Sequence, residues 1–498
     1  MPTIPRGRRW TAAGAGLLLL LSGCAPDPAP RTGATTTAPT TTAPTAGAPD
    51  PSAADATGAP GGGRAGLGPA PLDCPAPGRA PRSASRLDPT AGSYLGRAGG
   101  AATAVDVGPT CQLVVGGRFT GLPGEPATTI GRGGAGAVLL LDGTGRRLLR
   151  TVRVAGAVED LEVRRTGGEI AVATDRGVLL LDAAAGRARW QRGGAASRVA
   201  VGSAGTVAAV TGATVTVYDL TGATLTRIAP SGRTVSDVAV DDRSGLVFVS
   251  GFRQTSGGRC VPVQIAYLHA YDRRGRLRWR AYDHPADRLG DLCADSRADR
   301  VAMGRDGRLY LAGETAGGNS VFARSAADVG RPAPNVVTDD FSQATNTGNA
   351  HHTYLARFDP ASGRQLAGQV VISRVDSKGN RGNTITPLAI GADESGRIYA
   401  GGVSAYQIAD RSRVTLGGRR LAPYAGGDAW VLVLAPDLRR RLSWVVLTDG
   451  GAGTVRGVAA AGGVAAAVAQ VDKAGFWRGP GPSLGTGGGY LAAWPGLG

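Results

Sequence analysis

The chain has 498 residues, 80 of them glycine, with few aromatics, and its 55 Lys+Arg against 38 Asp+Glu leave a net charge of +17. No long amphipathic helical period follows the N-terminus, so a helical bundle is disfavoured and short strands with many turns are expected. Only Lys378 and Lys473 are lysines and no run of five or six basic residues occurs. The charge is scattered over turns rather than gathered into a nucleic-acid-binding segment.

Residues 1–24 read as a targeting segment. Arg6, Arg8 and Arg9 form a basic start, and Thr11 to Leu21 form an apolar stretch too short to span a bilayer. It ends in Leu21-Ser22-Gly23-Cys24, which resembles the lipobox of bacterial lipoproteins. The resemblance implies cleavage before Cys24, a diacylglyceryl-modified Cys24 and an extracytoplasmic, lipid-anchored protein of the bacterial envelope. Ala25 follows, so the Asp that favours inner-membrane retention in Gram-negative bacteria is absent.

Residues 25–85 are expected to form a tether. From Ala25 to about Leu72 the chain is Pro, Ala, Thr, Gly and Ser, with Thr35-Thr36-Thr37 and Thr40-Thr41-Thr42 between prolines. Such a composition cannot bury a core.

Residues 86–498 are repetitive. The pattern is clearest from Val178 to Gln191, where an apolar run stops at Asp182, turns to Gly186 and resumes with Trp190. Asp bonds turn amides and Gly tolerates positive φ, so this reads as a hairpin. Each unit holds strands A, B, C and D. Strand A recurs as Thr103–Val107, Val158–Val163, Ser197–Val201, Val235–Val240, Asp299–Met303, Thr386–Ile390 and Val455–Ala459. The seventh unit lacks a D strand, and Ser93–Arg97, ahead of the first A strand, is available to complete it. The expectation is an all-β, seven-bladed β-propeller of four-stranded blades, its last blade closed by an N-terminal strand.

The hairpins Asp182 to Trp190 and Asp272 to Trp279 resemble the repeats of quinoprotein-like (PQQ-like) propellers. Gly307–Gly313 and Gly396–Gly402 resemble bacterial surface propellers with SBBP-type repeats, as does Gly427-Asp428-Ala429-Trp430. These resemblances imply a fold more than a function. Quinoprotein dehydrogenases often carry adjacent cysteines near the cofactor, and this chain has none. No cofactor is therefore expected. Trp190, Trp279 and Trp444 recur in D strands far from the channel, where packing between blades is the better reading.

In this scheme B–C and D–A loops share one face, and A–B and C–D turns share the other. The long B–C loops are Arg118 to Gly136, Phe252 to Gln264, Glu314 to His352, Val403 to Asp428 and Asp472 to Gly489. With the D–A connection from Asp283 to Ala298, all long loops fall on one face, which favours binding there. Cys24 aside, four cysteines remain, an even number that suggests two disulfides. Cys260 and Cys293 both lie on the long-loop face, whereas Cys74 and Cys111 belong to the short-turn face. Pairing within each face would send the anchor out from the short-turn face and point the long loops away from the membrane.

The long-loop face offers Asp339, Asp340, His351, His352 and Asp428 as ligand-binding candidates, with His352 and Asp428 at matching positions of neighbouring C strands. Paired Asp and His bind metals or move protons. The chain has only four histidines and no HExxH, calcium-loop or phosphate-cradling motif, so neither catalytic residues nor a metal site are assigned. The expected function is a monomeric binding or scaffold module. It would meet the bilayer through Cys24 and an envelope protein or glycan through the long loops, without nucleic acid. The alternative is a polysaccharide lyase or hydrolase, or a degenerate quinoprotein-like enzyme.

Overall fold

The computed structural model describes residues 88–495 apart from 123–126, 132–133, 183, 185, 258, 339–349, 376–380, 409–410 and 482. The targeting segment, the whole tether, Cys24, Cys74, Asp339 and Asp340 lie outside the described residues.

The chain is a seven-bladed β-propeller. Blade 1 runs from Ala101 to Val154, blade 2 from Val158 to Gly193, blade 3 from Arg198 to Ile228 and blade 4 from Thr234 to Ala281. Blade 5 runs from Ser296 to Val371, blade 6 from Ile385 to Val446, and blade 7 from Ala452 to Pro495. Within each blade the strands pair in antiparallel A-B-C-D order. Blade 7 takes its fourth strand from the start of the chain: Ala91–Gly96 pairs antiparallel with Gly489–Pro495, Ser93 facing Leu491. This closing strand is wholly buried. The Tyr94 hydroxyl accepts the Gly475 and Phe476 amides at 2.9 and 2.8 Å, which fastens the blade 7 loop to the strand that seals the ring.

The recurrent Asp is explained by the C–D turns. Asp272 Oδ1 accepts the Arg274 and Arg276 amides, both at 2.9 Å, and Asp219 Oδ1 accepts those of Thr221 and Ala223 at the same distance. The recurrent Trp is explained by the next blade. The Trp190 indole donates to the Leu220 carbonyl at 3.1 Å, and that of Trp279 to the Pro360 carbonyl at 3.0 Å. Each indole lies against a glycine with positive φ in the neighbouring turn, Gly222 (φ 84°) for Trp190 and Gly363 (φ 70°) for Trp279. A Cβ at Gly222 would come within 2.7 Å of the indole, and one at Gly363 within 2.6 Å. The phrase that marks the repeat in sequence is thus the joint between successive blades.

Two features of the long loops differ from the expected picture. The stretch Phe252 to Gln264, read as a loop, is mostly strand, because B runs Leu246–Gly257 and C runs Cys260–Asp272 as one tall hairpin. In blades 1, 5 and 7 the B–C connection also runs outward and adds a short strand parallel to the outermost one. These are Ala127–Ile130, Val336–Thr338 and Leu484–Gly485. They cover outer edges that would otherwise present unpaired backbone groups.

Candidate functional site

Blades 4, 5, 6, 7 and 1 carry the long connections, whereas blades 2 and 3 turn from B to C at Asp175-Arg176 and Gly212-Ala213. On the long-loop face the tall blade 4 hairpin and the blade 6 loop form a wall, the connections of blades 1, 5 and 7 run partly along the outer edge, and blades 2 and 3 present only short turns.

The wall is pinned by buried polar groups. Cys260 and Cys293 form a disulfide that joins the tip of the blade 4 hairpin to the D–A connection, as their shared face suggested. Nearby, Asp283 receives Arg233 at 2.7 Å, Arg253 at 3.0 Å and His269 Nε2 at 2.8 Å. Burial alone would raise the Asp283 pKa, but the hydrogen bonds from His269 and Arg233 hold it below the usual carboxylate range. The preceding residue, Tyr282, turns the chain at φ 65° and hydrogen-bonds Tyr354 at 2.8 Å. The D–A connection is thus anchored to blades 4 and 5 at its start and by the disulfide near its end.

The candidates divide. Asp428 is fully buried and occupied: Arg411 Nε lies at 2.8 Å, the Thr448 hydroxyl donates at 3.1 Å and the Ile408 amide at 3.0 Å. Arg411 also donates to the Ala422 and Thr448 carbonyls at 2.7 and 3.0 Å. This network holds the blade 6 loop and leaves Asp428 no face for a ligand. His352 begins its C strand opposite Thr315 as Asp428 begins its own opposite Ser404, so the matching positions hold. His352 is also fully buried. His351 is the accessible member. Its Nδ1 sits 3.3 Å from Glu314, which Arg297 meets at 3.0 Å. The Glu314 hydrogen bond raises the His351 pKa against the opposing effect of burial. Burial and the Glu314 charge push Asp299 up to about 7.

Sequence reasoning missed Arg411, Asp299, Glu314 and the group around Asp283. Only His269 carried a signal, as a lone imidazole inside an apolar strand. Among the described residues no group of three or more His, Cys, Asp or Glu is arranged to hold a metal.

The channel is lined by all seven A strands. Equivalent positions on blades 2 to 5 alternate in charge: Asp160, Arg198, Asp237 and Arg300. Arg300 lies 3.2 Å from Asp237 and 3.9 Å from Asp160. Carboxylates of the A strands also bind the next blade's A strand. Asp106 accepts the Val163 amide at 2.8 Å, Glu162 that of Val201 at 3.1 Å and Asp237 that of Val301 at 2.9 Å. Nearer the short-turn end, Arg165 of blade 2 crosses to the Met303 and Gly304 carbonyls of blade 5 at 2.6 and 3.1 Å. Arg305 returns to Asp106 at 3.0 Å. The space left is about 110 Å³, well below the roughly 300 Å³ at which small-molecule pockets begin. The channel is a hub of ion pairs joining opposite blades.

These features define the protein as a β-propeller with a plugged channel and one face built of pinned loops. No protein-family model matches the chain, and no curated protein matches it at a significant level.

Proposed function

We propose that this protein is a lipid-anchored extracytoplasmic propeller that binds an envelope protein or glycan through its long-loop face. The observation that carries the reading is the pinned wall itself. Loops tied down by a disulfide and by the Asp283 and Asp428 networks meet a partner without a large ordering cost. The wall also exposes Val261 (74 %) and Tyr406 (50 %), apolar side chains suited to anchor a contact. Lipidation at Cys24 and export remain parts of the proposal supported by the Leu21–Cys24 motif. A photo-crosslinking residue at position 261 or 406 should trap one reproducible partner in cells, and one at position 225, on the short-turn side, should not. Equal trapping from all three positions would refute binding by the long loops. Mass spectrometry of the N-terminal peptide tests the anchor separately.

A second reading, glycan cleavage, is favoured by one observation. Asp299, pushed up to about 7, lies by Glu314 and His351 at the inner side of the wall, and acid–base chemistry uses carboxyls of that pKa. Unchanged turnover of envelope glycan by Asp299→Asn would remove it.

A further inference from the structure

We infer that the short-turn face, opposite the binding wall, docks directly on an anionic phospholipid surface. Three observations converge. The described chain reaches the propeller on this face: Thr90 donates to the Ala493 carbonyl at 2.9 Å, where the last C strand ends, and the closing strand begins at Ala91. The apolar exposure is placed in the same way. Of the five large hydrophobic side chains exposed among the described residues, Leu149, Leu225 and Leu277 occupy the first or second position of a D strand, directly after a C–D turn. They lie on the rim of this face, along the arc of blades 1 to 4.

The third observation is charge. From Arg273 to Arg280 the blade 4 turn and strand hold five arginines in eight residues, with Leu277 and Trp279 between them. Arg273 pairs with Asp242 at 2.7 Å. Arg274, Arg276 and Arg278 are exposed and form no ion pair among the described residues. Asp272, the acid of the turn, is committed to the Arg274 and Arg276 amides. The other two leucines also stand beside exposed basic side chains, Leu149 near Arg147 and Leu225 near Arg227. Cationic heads around a short apolar side chain match a bilayer interface, where the guanidinium meets phosphate and the leucine enters the acyl boundary. Single leucines spaced along a rim, each beside exposed arginines, suit a fluid bilayer surface.

The inference extends the lipid-anchored reading proposed above, but its test is independent of the Cys24 acyl chain. The full-length chain carrying Cys24→Ala, which removes any acyl chain, is mixed with phosphatidylcholine vesicles with or without phosphatidylglycerol. It should sediment with the anionic vesicles at low salt, be released by high salt, and stay off the neutral ones. Arg274→Glu/Arg276→Glu/Arg278→Glu should lower partitioning by at least about tenfold, since each basic residue near such a surface contributes severalfold. Leu225→Ser/Leu277→Ser should lower it further without affecting the melting temperature. Arg259→Glu/Arg420→Glu, on the long-loop face, should leave it unchanged. Absent binding, equal binding to both vesicle types, or equal loss from the long-loop variant would each overturn the inference. An unlipidated Cys24 in cells would overturn the anchor and leave the vesicle result standing.

Discussion

Arg411 and Asp428 form an ion pair at 2.8 Å in which neither side chain exceeds 4 % exposure. The two belong to one long connection, Arg411 inside the blade 6 loop and Asp428 at the start of the C strand that the loop enters. An acid that reads as a ligand in the sequence is thus the post to which its own loop is tied.

Breaking this pair from one side strands a buried charge. Asp428→Leu should cost about 3 kcal/mol and Arg411→Met a similar amount, each leaving the other group uncompensated. The double variant Arg411→Met/Asp428→Leu should cost much less than the sum. Urea unfolding of the four proteins measures the coupling, and strictly additive losses would mean that the pair does not hold the loop.

Gly222 serves Trp190, and the glycines allow the contact to be separated from the backbone. Gly212 also has positive φ (58°), but a Cβ there would meet nothing within 4 Å. Gly212→Ala should cost about 1 kcal/mol from conformation alone. Gly222→Ala adds the clash with the indole and should cost about 2–3 kcal/mol. In a Trp190→Ala background the difference between the two glycines should vanish, as thermal melts would show.

The Cys260–Cys293 disulfide closes a loop with a sequence separation of 33. Cys260→Ala/Cys293→Ala should lower stability by about 3 kcal/mol. The change should concentrate in the wall: amide exchange should rise between Arg253 and Asp295 and stay constant in blades 2 and 3. If the long-loop face binds as proposed, crosslinking through position 261 should fall in the same variant, because the tip that carries Val261 is no longer tied.

The ring was legible because its signals are local and repeated. Asp219 and Asp272 close turns by bonding the next few amides, and strands such as Val178–Leu181 are apolar throughout because both sheet faces are buried. The missing D strand of blade 7 pointed to Ser93–Arg97 by count alone. The height of the blade 4 hairpin was not legible. The B side of its upper rungs, Arg253 to Ser256, is polar, and Pro262 interrupts the C side, so the stretch reads as a loop. The rim strands escaped too: Ala127–Ile130 pairs through backbone on an exposed edge. The candidate site was less legible still. Neither the spacing of Arg411 from Asp428 nor that of Arg233 from Asp283 follows a strand period, so pins and ligands look alike in sequence.

Glu162 offers a test of the channel as a hub. Burial, followed by repulsion from Asp106, pushes its carboxyl from an ordinary 4.5 up to about 8, although Arg165, Arg305 and the Val201 amide favour the charged form. Between those two values the folded protein holds a proton that the unfolded chain releases. Stability from this group is therefore full below about pH 4.5, declines as pH rises through about 8, and is constant above that. Glu162→Gln imitates the protonated acid and can still accept the Val201 amide. The variant should match the parent at pH 5 and exceed it by on the order of 1 kcal/mol at pH 9, a modest figure because the channel admits water. Melting temperatures across that range decide the matter. A variant less stable than the parent at pH 9 would mean that the charged carboxylate is what joins blade 2 to blade 3.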